Sequence, residues 1–182
     1  KVIKAALEPE EGPLLMGEVV RKVSEAANNE AVLVTDVGQN QLFSTRYSKY
    51  NTPRSIITSG GLGTMGFGLP CAMGAKLARP NAKVISISGD GGFKMTSSEM
   101  FTISRYNIPV TVVVFNNVGL GMIRQLQTVS FAQRYFACQL NGAADVVDFV
   151  KLGESFGIEG EHVETPEQFA AAVAKGMELN RP

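Results

Sequence analysis

The chain has 182 residues, 45% of them apolar and 19% charged, which fits one soluble-type domain of ordinary size with a substantial core. Its 17 basic residues balance its 17 acidic ones, with no basic stretch or like-charge run, so a nucleic-acid interface or a charged tail has no support. The apolar runs are too short to span a bilayer and no secretory signal opens the chain, although it starts at Lys1 rather than Met, so no membrane association is expected.

Residues 1–12, charged and carrying Pro9 and Gly12, read as a linker from missing upstream domains, with the domain proper over 13–182. Pro13 suits a first helical turn, and Leu15, Val19, Val23 and Ala26 follow at helical spacing up to Asn28-Asn29. Ala31–Thr35 reads as a buried strand, stopped by the polar turn Asp36-Val37-Gly38-Gln39-Asn40. Leu42–Tyr50 reads as a helix and Ser55–Thr58 as a short strand. A glycine loop leads into a helix over Phe67–Ala78, with Pro70 in its first turn and Ala72, Gly74 and Ala75 allowing close packing. Val84–Ser88 and Val110–Phe115 are apolar, β-branched runs. Between them Ser97–Tyr106 reads as a helix with Met100, Phe101 and Ile103 on one face; Met95 and Met100 are expected in the core and Lys94 in solvent. Leu120–Gln127 begins another helix. Val129–Asn141, mixed and aromatic, is expected to cover the site as a mobile segment. Ala144–Phe156 reads as a helix and Gly157–Val163 as a strand. Thr165-Pro166-Glu167-Gln168 is a capping signal for a last helix through Met177. A further strand would normally follow, so the domain is expected to be truncated at its C-terminus. Cys71 and Cys138 fit no metal-ligand spacing and read as reduced thiols of a cytoplasmic protein. His162, the lone histidine, has no acid–nucleophile partner and reads as structural or solvated.

The strands alternating with helices predict an α/β domain: a doubly wound, mostly parallel sheet with helices on both faces. The unit from Val84 to Phe115 is a strand–helix–strand crossover, right-handed almost without exception, so Gly89-Asp90-Gly91-Gly92 and Asn116-Asn117-Val118-Gly119 land on one edge of the sheet. Open α/β sheets bind ligands outside the carboxyl ends of their strands. Asp90 offers a carboxylate there, and Asn116 or Asn117 an amide oxygen. The glycines expose backbone without a Cβ in the way. Mg²⁺ takes one or two protein carboxylates and completes its octahedron with phosphate and water. Helix-start amides suit the phosphates. The stretch therefore reads as a metal–diphosphate site.

Two other readings fare worse. Gly61-x-Gly63-x-x-Gly66 matches the dinucleotide fingerprint, but the acidic residue expected about 20 positions on is missing: Ile85, Ser86 and Ile87 stand there. A phosphohydrolase using Gly-Asp-Gly with Mg²⁺ needs an early nucleophilic Asp-x-Asp, which the chain lacks.

Gly89-Asp90-Gly91, followed after residues 92–115 by Asn116-Asn117, resembles the signature of thiamine-diphosphate enzymes. The flanking runs SGGLGTMGFGLP (59–70), TDVGQNQ (35–41) and NNVGLGMIRQ (116–125) resemble the catalytic subunit of acetolactate synthase, from about residue 13 to the chain end. The resemblance implies decarboxylation of pyruvate and addition of the two-carbon unit to a second 2-oxo acid, in branched-chain amino-acid biosynthesis. It implies Mg²⁺ on Asp90, Asn117 and the Gly119 carbonyl, and the diphosphate on Gly91, Gly92, Gln39 and Asn40; Asp36, like Asp90, sits at a strand end and is expected to face the phosphates and metal. Gly63, Thr64, Met65, Leu120, Gly121 and Met122 would meet the rest of the cofactor, with Met65 wedged between its two rings. Two departures stand out. Asn40 replaces the usual His and carries no charge, and Leu126 replaces the Trp of the family's Arg-Gln-Trp-Gln run at the mouth of the substrate channel. The glutamate that activates the cofactor, and the FAD-binding domain, lie elsewhere in such enzymes. The 182-residue chain alone is therefore expected to lack turnover and to contain no catalytic residue of its own. A homodimer or higher oligomer and a regulatory small subunit are also implied. Glyoxylate carboligase or pyruvate oxidase remain alternatives within the same cofactor class.

Overall fold

Two short runs are apolar on both faces, and they become the centre of the sheet. In the computed structural model, which describes residues 15–142 and 146–182, β1 (Val32–Thr35) is buried along its length and β3 (Val84–Gly89) all but its last residue. Strands covered on both sides read as continuous apolar runs rather than alternating ones. β2 (Ile56–Thr58) and β4 (Thr111–Phe115) flank them and are only half-buried. The sheet is four-stranded and wholly parallel, in the order β2-β1-β3-β4.

The helices divide between its faces. α1 (Met16–Ala26), α2 (Gln39–Tyr47) and α8 (Pro166–Glu178) cover one face. There Val19, Val20, Val23, Tyr47, Phe169 and Val173 close over Leu33, Ile85 and Ile87. α3 (Gly68–Ala78) packs Ala72 and Ala75 against Val32, Val34 and Val84 on the other. Beside it α4 (Asp90–Thr96), α5 (Glu99–Arg105) and α7 (Phe149–Ser155) build a third cluster, with Phe93, Met100 and Ile103 buried and the Phe149 ring edge-on to Phe93 at 5.6 Å. α6 (Gly121–Ser130) follows β4 and has no buried residue. Fully burying each large aliphatic side chain contributes about 1.5–3 kcal/mol.

Several expectations need correction. The stretch after β3 is helical from Asp90, so the polar cluster is itself a first helical turn, and α5 starts at Glu99. Met100 and Ile103 face the core, but Phe101 is 55% and Met95 60% exposed. The helix after β1 starts at Gln39 rather than Leu42, because Gly38 at φ 132° turns the chain into it immediately, and it ends at Tyr47. α7 starts at Phe149 because Asp148 caps it, accepting from the Lys151 amide at 3.1 Å; positions 144 and 145 of the expected helix lie outside the described residues. No strand forms over 157–163, although Ile158 and Val163 pack onto the cores. Lys94 is half-buried. The expected linker over 1–12 lies outside the described residues.

The predicted α8 signal holds: the Thr165 hydroxyl accepts from the Gln168 amide while the Gln168 side chain accepts from the Thr165 amide. Cys71 and Cys138 are free. His162 is exposed beside Glu164 at 3.2 Å. Among the described residues no helix is long and apolar enough to cross a membrane, and no cluster of His, Cys, Asp or Glu could by itself hold a metal ion.

Candidate functional site at the switch point of the sheet

Strand order 2-1-3-4 means that the chain leaves β1 in one direction and β3 in the other. The loops after these strands diverge and leave a crevice between their carboxyl ends. A cleft of ≈ 550 Å³, open solvent included, lies at that place. α2, α4 and α6 all begin at its wall, with Gln39, Asp90 and Gly121 as their first residues. Helix starts present unsatisfied amides and partial positive charge, so three of them converging favour an anion.

Asp90 is the acidic side chain in the wall. It is 2% exposed, and its carboxylate accepts from the Gly91 amide at 2.9 Å and the Gly119 amide at 3.1 Å. This one side chain thus ties the turn after β3 to the turn after β4. Burial pushes its carboxyl above the ordinary range, against the two amides and the Lys94 charge, which pull it down. An acid held up by desolvation is one that a cation would restore to the ionised form.

Asn40 is 3% exposed; its Nδ2 donates a long bond to the Val37 carbonyl at 3.4 Å, and its Oδ1 has no partner. Gln39 reaches across the cleft, donating from Nε2 to Gln125 Oε1 at 3.1 Å. Asn117 is exposed on the turn after β4. That turn is pinned from outside: Leu120 N–H donates to the Cys138 carbonyl at 2.8 Å and Leu140 N–H to the Val118 carbonyl at 2.9 Å. The predicted cover over 129–141 therefore packs against the site through residues 138–140.

Most of the predicted set converges. Gln39, Asn40, Met65, Asp90, Gly91, Gly92, Asn117, Gly119, Leu120, Gly121 and Met122 all line the cleft. Gly63 and Thr64 do not: they stand on the exposed loop before Met65. Asp36 does not face phosphate and metal as the sequence suggests; it turns beneath the glycine loop, where it accepts from the Gly66 and Gly68 amides at 3.1 and 2.9 Å. The positive end of α3 is thereby already occupied by a carboxylate, which disposes of the dinucleotide reading of those glycines. Met16 and Phe115 also line the cleft unpredicted. Phe115 was readable as the last residue of its strand, whereas nothing local marks Met16, which arrives through the packing of α1.

The family model described as "Thiamine pyrophosphate enzyme, C-terminal TPP binding domain" matches residues 36–182. The chain belongs to this family. It is 46% identical over 155 residues to "Probable acetolactate synthase large subunit" of Methanococcus aeolicus, covering 85% of this chain and 25% of that protein. It is 42% identical over 170 residues to "Acetolactate synthase isozyme 2 large subunit" of Escherichia coli (strain K12), covering 93% and 30%. It is 41% identical over 164 residues to "Acetolactate synthase large subunit" of Lactococcus lactis subsp. lactis (strain IL1403), covering 90% and 28%. The chain thus spans roughly a quarter to three-tenths of the length of these curated relatives. Membership in this family agrees with the parallel α/β architecture.

Proposed function

We propose that the cleft binds thiamine diphosphate through Mg²⁺, and that the whole protein is an acetolactate synthase joining pyruvate to a second 2-oxo acid in branched-chain amino-acid biosynthesis. The observation that carries this is Asp90: a buried carboxylate, destabilised as an anion by its burial, at the point where three helix starts meet. A lone carboxylate among amides is half a site for Mg²⁺ and needs phosphate oxygens to complete it. The unpartnered Asn40 Oδ1 in the same cleft wall is a second polar group lacking a partner.

Asp90, Asn117 and the Gly119 carbonyl would hold the metal. Gly91, Gly92, Gln39 and Asn40 would hold the diphosphate. Met65, Leu120, Gly121 and Met122 would hold the organic part, with Gly63 and Thr64 on the loop that leads to it. Once bound, thiamine diphosphate supplies the electron sink that decarboxylation of a 2-oxo acid requires. The chain's own contribution is to bind, orient and shield from water. No acid other than Asp90 lines the cleft among the described residues, so no other acid among them is placed to serve the proton chemistry of the reaction. General acid–base assistance is worth about 10²–10⁴-fold.

The remaining parts of the reading are FAD held outside this domain, a homodimer or higher oligomer, and a cytoplasmic location. That the relatives are large subunits supports a small subunit as partner, which we take to be regulatory. The test is acetolactate formation from pyruvate with saturating thiamine diphosphate, Mg²⁺ and FAD. A full-length protein containing this chain is expected to turn over and the 182-residue chain is not. Turnover of the short chain at a comparable rate, or none by the full-length protein, would contradict the reading.

A further inference from the structure

We propose that Asp36 is the positioning residue for Met65: its buried carboxylate clamps the glycine loop so that the Met65 side chain is held over Gly91 in the cleft. The ligand arm of this inference rests on the thiamine-diphosphate reading above; the positional arm does not.

Asp36 extends the β1–β3 ladder by one residue, its amide donating to the Ile87 carbonyl at 2.8 Å. Its backbone is therefore fixed by the centre of the sheet. Its side chain is 1% exposed and lies outside the cleft wall. Oδ1 accepts from the Val37 amide at 2.7 Å and the Gly66 amide at 3.1 Å, and Oδ2 accepts from the Gly68 amide at 2.9 Å. From the other side, the Thr96 hydroxyl donates to the Gly66 carbonyl at 2.9 Å. The two peptide groups flanking Gly66 are thus gripped in opposite directions, one by β1 and one by the end of α4. Gly66 itself has φ 83°, and a Cβ there would lie 3.1 Å from Thr96 Cγ2 and 3.2 Å from Met95 Cβ.

Met65 is joined directly to this clamped glycine. Its Cε lies 3.6 Å from where a Cβ on Gly91 would be, so its methyl overhangs the first turn of α4. A methionine has three rotatable side-chain bonds and adapts freely when its backbone is free. Holding the peptide on one side of it removes most of that latitude. An acid used only to cap α3 would need no bond to Gly66, and Thr96 would have no reason to hold the same residue from the far side. In Asp36→Ala the Val37, Gly66 and Gly68 amides all lose their acceptor, so the grip on the Gly66 amide is removed outright.

The experiment uses the 182-residue chain labelled at the methionine methyls, with Met65 assigned by Met65→Leu. In the free wild-type chain a nuclear Overhauser contact between the Met65 methyl and Gly91 Hα is expected, and in folded D36A and in T96V it should be lost. Titration with Mg²⁺ plus thiamine diphosphate, and separately with Mg²⁺ plus inorganic diphosphate, then reads the consequence. Both variants should weaken thiamine diphosphate at least tenfold while inorganic diphosphate stays within twofold, because Met65 is not at the phosphates. If D36A fails to fold, T96V, which leaves the carboxylate in place, carries both arms. Retention of the methyl contact in the folded variants overturns the clamp. Equal weakening of both ligands also overturns it, since Asp36 would then act through the neighbouring Gly92 turn. If the wild-type chain binds neither probe, it is the cofactor reading that fails, and the methyl contact alone decides the clamp.

Discussion

Gly91 and Gly92 are adjacent but differ in what a Cβ would meet. A Cβ on Gly92 would run into the Asp36 carboxylate, which three backbone amides hold in place and which cannot step aside. A Cβ on Gly91 would meet Leu120 Cδ2 at 2.5 Å, the end of a side chain that can turn away. Gly92→Ala should therefore cost about 1–3 kcal/mol by overpacking, read by urea unfolding, and Gly91→Ala clearly less. Equal losses would contradict this account of the motif. Asp90 yields a pH prediction. Its folded pKa is raised by burial above the unfolded value, so the native state holds that proton more tightly. The resulting stabilisation is complete below the unfolded pKa and is lost as pH rises through the folded one. Thermal unfolding of the metal-free chain and of Asp90→Ala across that acidic window should show the wild-type advantage shrinking as pH rises. A constant difference would mean that Asp90 titrates normally. At this scale the sequence was informative about which atoms could bind a metal and misleading about Asp36. An acid at a strand end looks the same on paper whether it points into a crevice or beneath a loop, and only the course of residues 63–68 decides.

The elements that read correctly are those whose chemistry is local. Ala31–Thr35 and Val84–Ser88 have no polar side toward water, so they could only be central strands, and the Thr165–Gln168 capping box marks α8 without help from packing. Thr165→Ala should cost about 1 kcal/mol, measured by chemical denaturation, and leave ligand binding unchanged because the cap is remote from the cleft wall; a change in affinity would show that α8 bears on the site. Elements that misread depended on tertiary contacts. Gly89–Gly92 looks like a loop by propensity, yet α4 starts there because the Asp90 carboxylate accepts the Gly91 amide and the chain can turn directly into a helix. Gly157–Val163 has strand-like composition, but strand formation needs a neighbouring ladder, and this segment lies against the cores through Ile158 and Val163 without one. Phe101 shared a plausible helical face with Met100 and Ile103 until the start of α5 at Glu99 set the rotation.

For the whole molecule, the strand order is what turns separate motifs into one site. Residues 36–40, 89–92 and 117–122 are far apart in sequence and meet because β1 and β3 lie side by side with their connections leaving in opposite directions. That 89–92 and 116–119 share one edge was legible, since a parallel strand–helix–strand unit crosses over right-handed; the strand order that brings 36–40 to them was not. The contribution of α1, which brings Met16 to the cleft, was not legible, because it depends on how a helix before the sheet seats on it. The central claim is that this geometry forms a metal-dependent diphosphate site governed by Asp90. Calorimetric titration of thiamine diphosphate into the 182-residue chain, with and without Mg²⁺, and into Asp90→Ala, tests it most directly. The account predicts binding that requires Mg²⁺ and that disappears in a folded Asp90→Ala; equal affinity without the metal, or unchanged affinity in the folded variant, would contradict it.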